Sequence, residues 1–136
     1  MAVDDYLIWE RVVYLVEQRY EQLGIEWYTD YYDVIRTKRL STKRLQFAGN
    51  TSVMLYEEYD IVEYKLKIFH YCYTFCDSDG KEIFRADNSE HHNVSTTPHH
   101  IHDFRFGDEK IKPFHRQELD NPDITEFFAH IRGERR

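Results

Sequence analysis

Near the start of the chain, apolar side chains recur at the spacing of one helix face. Trp9, Val13, Val16, Tyr20 and Leu23 follow one another at four, three, four and three residues, and Ile8, Val12 and Leu15 widen the stripe. The pattern predicts a helix, opened by Asp4 or Asp5 as acceptors for its first amides and closed by Gly24. A stripe this wide is suited to lie across a sheet, so its aromatics read as scaffold. From Tyr31 the pattern shifts to short β-type runs. "YYDVIRTKRL" and "KRLQFAG" predict one long or broken strand, "GN" at 49–50 a turn, and "TSVMLYEEY" the returning strand. "VEYKLKIFHYCYTF" predicts the strongest strand. Tyr64, Leu66, Ile68, His70, Cys72 and Thr74 would line one face; Lys65, Lys67, Phe69, Tyr71, Tyr73 and Phe75 would line the other.

The next turn constrains the register. "DSDG" predicts a tight hairpin with Asp79-Gly80 at positive φ, and "KEIFRADN" runs back from it. A two- or four-residue loop pairs odd positions of the second strand with even positions of the first. Without a bulge, Ile83, Arg85 and Asp87 then share the face of His70, Cys72 and Thr74, and His70, Arg85 and Asp87 gather at one end of the sheet. "FRFGDEKIKPF" is too short and mixed to classify beyond an edge strand. Pro122 sits at the first turn of a last helix whose apolar face is Ile124, Phe127, Phe128 and Ile131. The fold class is α+β: an N-terminal helix, an antiparallel sheet of four to five strands, a His-rich loop and a C-terminal helix.

Length and composition narrow the class. A chain of 136 residues with 41% hydrophobic and 16% aromatic content fits one domain, 1–136, around one core. No apolar run reaches membrane-spanning length, and two aspartates stand where a signal peptide carries basic residues, so a cytoplasmic location is expected. Cys72 and Cys76, four positions apart on one strand, would sit about 13 Å apart, too far for a disulfide. The net charge of −7 opposes nonspecific nucleic-acid binding. Its distribution is uneven, since Arg36, Lys38, Arg39, Lys43 and Arg44 follow one another with no acid between them. That segment could hold a polyanion, or be a solvated strand face opposite the acidic first helix.

The chemistry concentrates in residues 82–104, where five of the eight histidines fall: His91, His92, His99, His100 and His102. As metal ligands they have no standard spacing. His99 and His100 point opposite ways in an extended chain, so His100 and His102 would need a distant third ligand such as His91 or Asp87. As proton carriers they titrate near the working pH. RNA cleavage without a metal needs a base for the 2′-hydroxyl, an acid for the leaving 5′-oxygen and a cation for the phosphate. The histidines and Arg85 could fill those roles, with Tyr71 and Tyr73 stacking on unpaired bases. The plain alternative is a loop in which Asp87 and Asn88 cap a turn and the rings bond backbone groups. His115 and His130 read as ordinary surface or helix residues.

The composite "YCYTFCDSDGKEIFRADNSEHH" followed by "TTPHHIH" resembles the TumE toxin family of small prokaryotic proteins. The likeness is close over residues 62–104 and looser on either side, and Ala86 stands where the family often has an aromatic. It implies the toxin of a type II toxin–antitoxin pair, with a helix-turn-helix antitoxin as partner. It also marks Arg85, Asp87, Asn88, His91, His92, Pro98, His99, His100 and His102. The expected function is a ribonuclease acting by histidine acid–base chemistry, with no metal and no cofactor. His91 or His92 and one of His99, His100 and His102 would be base and acid, Arg85 would hold the phosphate, and Asp87 would orient a ring. Arg36, Lys38, Arg39, Lys43, Arg44, Tyr71 and Tyr73 would bind the RNA. The rivals are a metal-dependent hydrolase or nucleotidyl-modifying enzyme with histidine ligands, and a non-enzymatic binding module. Self-association stays open.

Overall fold

A computed structural model describes residues 2–17, 31–42, 45–46, 48–89, 94–114 and 121–133. Its elements are α1 (Val3–Glu17), α2 (Tyr31–Thr37), β1 (Arg39–Ser41), β2 (Leu45–Gln46), β3 (Ser52–Val62), β4 (Lys65–Cys76), β5 (Glu82–Asp87), β6 (His100–Asp103), β7 (Lys110–Pro113) and α3 (Ile124–Ile131). The seven strands form one antiparallel sheet in the order β1-β3-β4-β5-β6-β7, with β2 also on β3. The α+β class is as expected, but four to five strands is too few. The difference lies in β6, which takes His100 and His102 of the expected histidine loop into the sheet, and in the short strands at both edges. No helix among the described residues is long and apolar enough to cross a membrane.

One face of the sheet carries the core. Leu55, Tyr59, Tyr71, Tyr73, Phe84, Ala86 and Ile101 are buried there beneath Ile8, Val12 and Leu15 of α1 and Ile124, Phe127 and Phe128 of α3. The core stripe of α1 is therefore Ile8–Val12–Leu15, while Trp9 is 41% exposed and Val13 only half-buried. The rest of the expected stripe and its Gly24 cap lie outside the described residues. At the other end, Asp123 caps α3 by accepting from the Thr125 amide, which places Pro122 ahead of the cap rather than in the first turn. Arg11 enters the core as well. Its guanidinium donates to both oxygens of fully buried Glu57, at 3.1 and 2.6 Å, and to the Pro122 carbonyl at 3.0 Å. Tyr59 and Tyr73 also donate to that carboxylate; burial, then Glu57, pushes both phenols well above their ordinary range.

Local geometry departs from the sequence pattern at three points. Tyr31–Thr37 is a helix, not the start of a strand; its buried Val34 and half-buried Ile35 fit either period over so short a span. The expected strand "VEYKLKIFHYCYTF" begins three residues late because Glu63 and Tyr64, at φ 51° and 64°, form the two-residue hairpin turn between β3 and β4. Those turns favour Asn-Gly, which is why the pattern hid it. Finally, Glu58 pairs with His70 and Tyr59 with Ile68, so Phe69 bulges out of the ladder at 53% exposure. The bulge puts Ile68 on the core face together with Tyr71, Tyr73 and Phe75, and breaks the expected alternation.

Two asparagines complete β4 beyond the end of β5. Asn88 accepts from the Tyr71 amide and donates to the Phe69 carbonyl; Asn121 does the same for Ile68 and Leu66, all within 3.1 Å. Each amide takes the place of a missing strand neighbour.

Asp103, buried on β6, accepts from Arg105 at 2.8 Å and Lys112 at 2.9 Å. Burial raises its pKa, but the bonds from Arg105 and Lys112 outweigh this and hold the carboxyl well below the usual range. A carboxylate depressed by folding stabilises above the unfolded pKa and loses that contribution as pH falls through the folded value. Urea midpoints should therefore decline below about pH 4, and Asp103→Asn should flatten this acid limb while lowering the neutral midpoint. A parallel acid limb in the variant would contradict the assignment.

Candidate functional site

The site follows from cross-strand register. Cys72 stands opposite Asp87, Asp87 opposite His100, Thr74 opposite Arg85, and Arg85 opposite His102. Directly opposed residues share a face, so Arg85, Asp87, His100 and His102 meet on the side of the sheet away from α1 and α3. The expected parity holds by two compensating irregularities. The Ser78-Asp79-Gly80 loop, with Gly80 at φ 81°, is one residue longer than a tight turn, and a bulge between Phe75 and Cys76 restores the register.

Within this group the side chains are close and buried. His100 Nε2 lies 3.0 Å from Asp87 Oδ1 and 3.1 Å from His102 Nε2, and His102 Nε2 lies 3.5 Å from Asp87 Oδ2. Exposure is 0% for His100, 1% for His102 and 5% for Asp87. The opposite ring nitrogens fix the tautomers. His100 Nδ1 is 2.9 Å from the Pro98 carbonyl, and His102 Nδ1 is 2.5 Å from Glu109 Oε1. A carbonyl and a carboxylate accept, so each Nδ1 donates outward and both Nε2 atoms face Asp87 and each other.

Arg85 stands at the edge of the group, 32% exposed. It donates to Glu82 at 2.8 Å, lies 3.6 Å from Asp87 Oδ2, and has its guanidinium 6.0 Å from the centre of the Phe104 ring. Phe104 in turn stacks against His102 at 6.0 Å and 4°. Cys72, on the same face, is driven toward the thiol by burial, which makes it a poor nucleophile or thiolate ligand.

The remaining expected site residues divide. His99 lies toward the other face, its Nδ1 3.0 Å from the Tyr71 hydroxyl and its ring stacked on Tyr71. His70 does not join Arg85 and Asp87: its Nδ1 is 2.9 Å from Glu58 and its ring edges Tyr56, both on β3. His130 is a helix residue, as expected, but it is buried in α3 between Phe84 and Phe114 and not on the surface. Tyr71 and Tyr73 are 0% exposed and stack on each other in the core, so neither offers a face to a base. Arg36, Lys38 and Arg39 lie at or beside β1, three to four strand spacings from β5 and β6, roughly 15–20 Å away. Arg36 there pairs with Asp33 and Arg39 with Glu58. His91, His92, Lys43, Arg44 and His115 lie outside the described residues.

Three parts of the site escaped the sequence reading: Glu109, Phe104 and the hairpin tip between β6 and β7. At that tip Phe106 is 69% exposed, with the Arg105 guanidinium 5.0 Å and the Lys110 ammonium 5.6 Å from its ring centre. The period-two pattern His-Ile-His at 100–102 was the signal available for β6, and "FGDEK" for the turn.

An α+β sheet carrying a buried His–His–Asp group with an arginine at its margin has the donors and acceptors that catalysis or ligand binding requires. Residues 19–135 match the sequence profile described as Toxin TumE, so the chain belongs to the TumE toxin family. This span includes the basic segment at 36–44, beyond the stretch that carried the resemblance, and α3, where the likeness was loose, while α1 precedes it. No curated protein and no solved structure matches the chain. Membership makes it a toxin of a toxin–antitoxin system and implies an antitoxin as partner.

Proposed function

We propose that this toxin cleaves RNA at the group formed by Arg85, Asp87, His100 and His102. The observation that carries the reading is the convergence of these four side chains from β5 and β6 on one face of the sheet. In the version that uses only the chain's own groups, one of His100 and His102 takes the 2′-hydroxyl proton as O2′ attacks phosphorus. The other, protonated and steadied by Asp87, gives its proton to the departing 5′-oxygen as the P–O5′ bond breaks. Arg85, 32% exposed at the edge of the group, is the residue that meets the phosphate as charge builds there. Phe106, between Arg105 and Lys110, offers an unstacked base the exposed ring that Tyr71 and Tyr73 cannot. The antitoxin would be a helix-turn-helix protein.

Purified toxin incubated with labelled RNA tests this. Arg85→Lys, which keeps the charge but loses the fork, should lower cleavage by about 10²-fold. Phe106→Ala should raise KM several-fold with little change in kcat. Intact RNA after prolonged incubation with the wild-type protein would remove the proposal.

A further inference from the structure

We propose that Asp87, His100 and His102 bind one divalent transition-metal ion, with zinc as the prime candidate. The proposal concerns the group described above and takes from the RNA reading only the reaction the ion would serve; its test needs no RNA.

Three observations point to an ion. The first is spacing. Donors held about 2.0–2.2 Å from a common ion lie roughly 2.8–3.6 Å from one another in octahedral or tetrahedral arrangements. Here His100 Nε2, His102 Nε2 and the nearest Asp87 oxygens are separated by 3.0, 3.1 and 3.5 Å. The second is tautomer control. Each imidazole donates its Nδ1 hydrogen to an oxygen, Pro98 carbonyl or Glu109 carboxylate, and so turns its Nε2 lone pair inward. Metal-ligating histidines are oriented in this way, and a carboxylate on the far nitrogen raises ligand basicity. A single proton can serve only two of the converging acceptors at once, whereas a cation serves all three.

The third observation is burial. Asp87 is 5% exposed, and it faces two imidazoles that are 0% and 1% exposed. A carboxylate this deep is stabilised by a cation beside it. Among the described residues Arg85 stands 3.6 Å away at the margin, and a divalent ion held between Asp87 and the two rings would lie closer.

The donor set decides the class of ion. Two imidazoles and one carboxylate suit zinc, manganese, iron(II), cobalt or nickel, while magnesium and calcium favour oxygen-only sites. Three protein ligands leave at least one coordination position for water or a phosphate oxygen, as catalytic sites require. With such an ion the two Nε2 atoms would serve as ligands instead of proton carriers. The ion would supply a water of lowered pKa, with Arg85 3.6 Å from Asp87 Oδ2 at the margin of the group.

The test uses protein purified without a histidine tag, stripped with chelator and titrated with Zn²⁺ by calorimetry and with Co²⁺ by visible absorption. One equivalent per chain should bind, with Co²⁺ bands that report nitrogen and oxygen ligands, and Mg²⁺ should give no comparable signal. His100→Ala and His102→Ala should each weaken binding by at least about 100-fold, and Glu109→Gln by about tenfold. His99→Ala, on the other face, should bind as wild type. Absence of stoichiometric binding in the wild-type protein overturns the proposal, as does binding that survives both ligand variants or is lost equally in His99→Ala. Because wild type alone can give the first of these results, a variant that fails to fold does not shield the idea. Binding without RNA cleavage would sink the RNA reading alone. Cleavage undiminished by chelator, with no ion bound, would sink this one alone.

Discussion

Asp87→Asn is expected to abolish growth arrest on expression and to lower RNA cleavage by about 10²–10⁴-fold, while the fold persists. Asp87 is the centre of the site: His100 at 3.0 Å, His102 at 3.5 Å and Arg85 at 3.6 Å all address its carboxylate. The charge is needed whether it steadies a cationic ring or ligates an ion. Asparagine retains an oxygen for the Ser89 amide, which donates to Oδ1 at 3.0 Å, so the local turn is kept. The neighbouring Asn88→Ala should do the opposite. It removes partners from the Tyr71 amide and the Phe69 carbonyl and should cost about 1–3 kcal/mol of stability, with turnover per folded molecule unchanged. Growth assays, urea unfolding and cleavage rates on the two variants separate these effects. Full toxicity from Asp87→Asn at normal abundance would remove Asp87 from the chemistry.

Glu57→Ala should destabilise the protein by about 3–5 kcal/mol, the largest single loss expected outside the site. The substitution leaves the Arg11 guanidinium buried at 9% exposure without its carboxylate, and removes the acceptor for Tyr59 and Tyr73. Replacing both charges, as Arg11→Met with Glu57→Leu, should recover much of the loss, because the desolvation cost disappears with the pair. The pair also ties α1, which precedes the family match, to β3 of the sheet. Urea midpoints at constant slope measure both changes. A Glu57→Ala protein within 1 kcal/mol of wild type, as an order-of-magnitude threshold, would show that water reaches the guanidinium.

Parts of this architecture were legible because they follow from local periodicity. α1 and α3 announce themselves by apolar spacing, and the face shared by Arg85 and Asp87 follows from a hairpin and the alternation of a strand. Other parts were hidden where geometry is decided by contacts distant in sequence. The Phe69 bulge, the Glu63-Tyr64 turn and the helix at Tyr31–Thr37 break local rules and are held by neighbours the pattern does not name. Tyr71 and Tyr73 looked suited to bases because aromatic residues serve equally in cores and on binding faces; only the helices above them decide which.

The same division applies to the site. From the order of its residues alone, the chain determined that the polar chemistry collects between Arg85 and His102 and that His100 and His102 cannot point with His99. Tertiary structure decided which of them meet. Pairing of β5 with β6 sets Asp87 against His100 and Arg85 against His102, and the β6–β7 hairpin brings Glu109 to the far nitrogen of His102. Strand neighbours are chosen by burial across the whole sheet, a sum over many residues that no window of sequence contains.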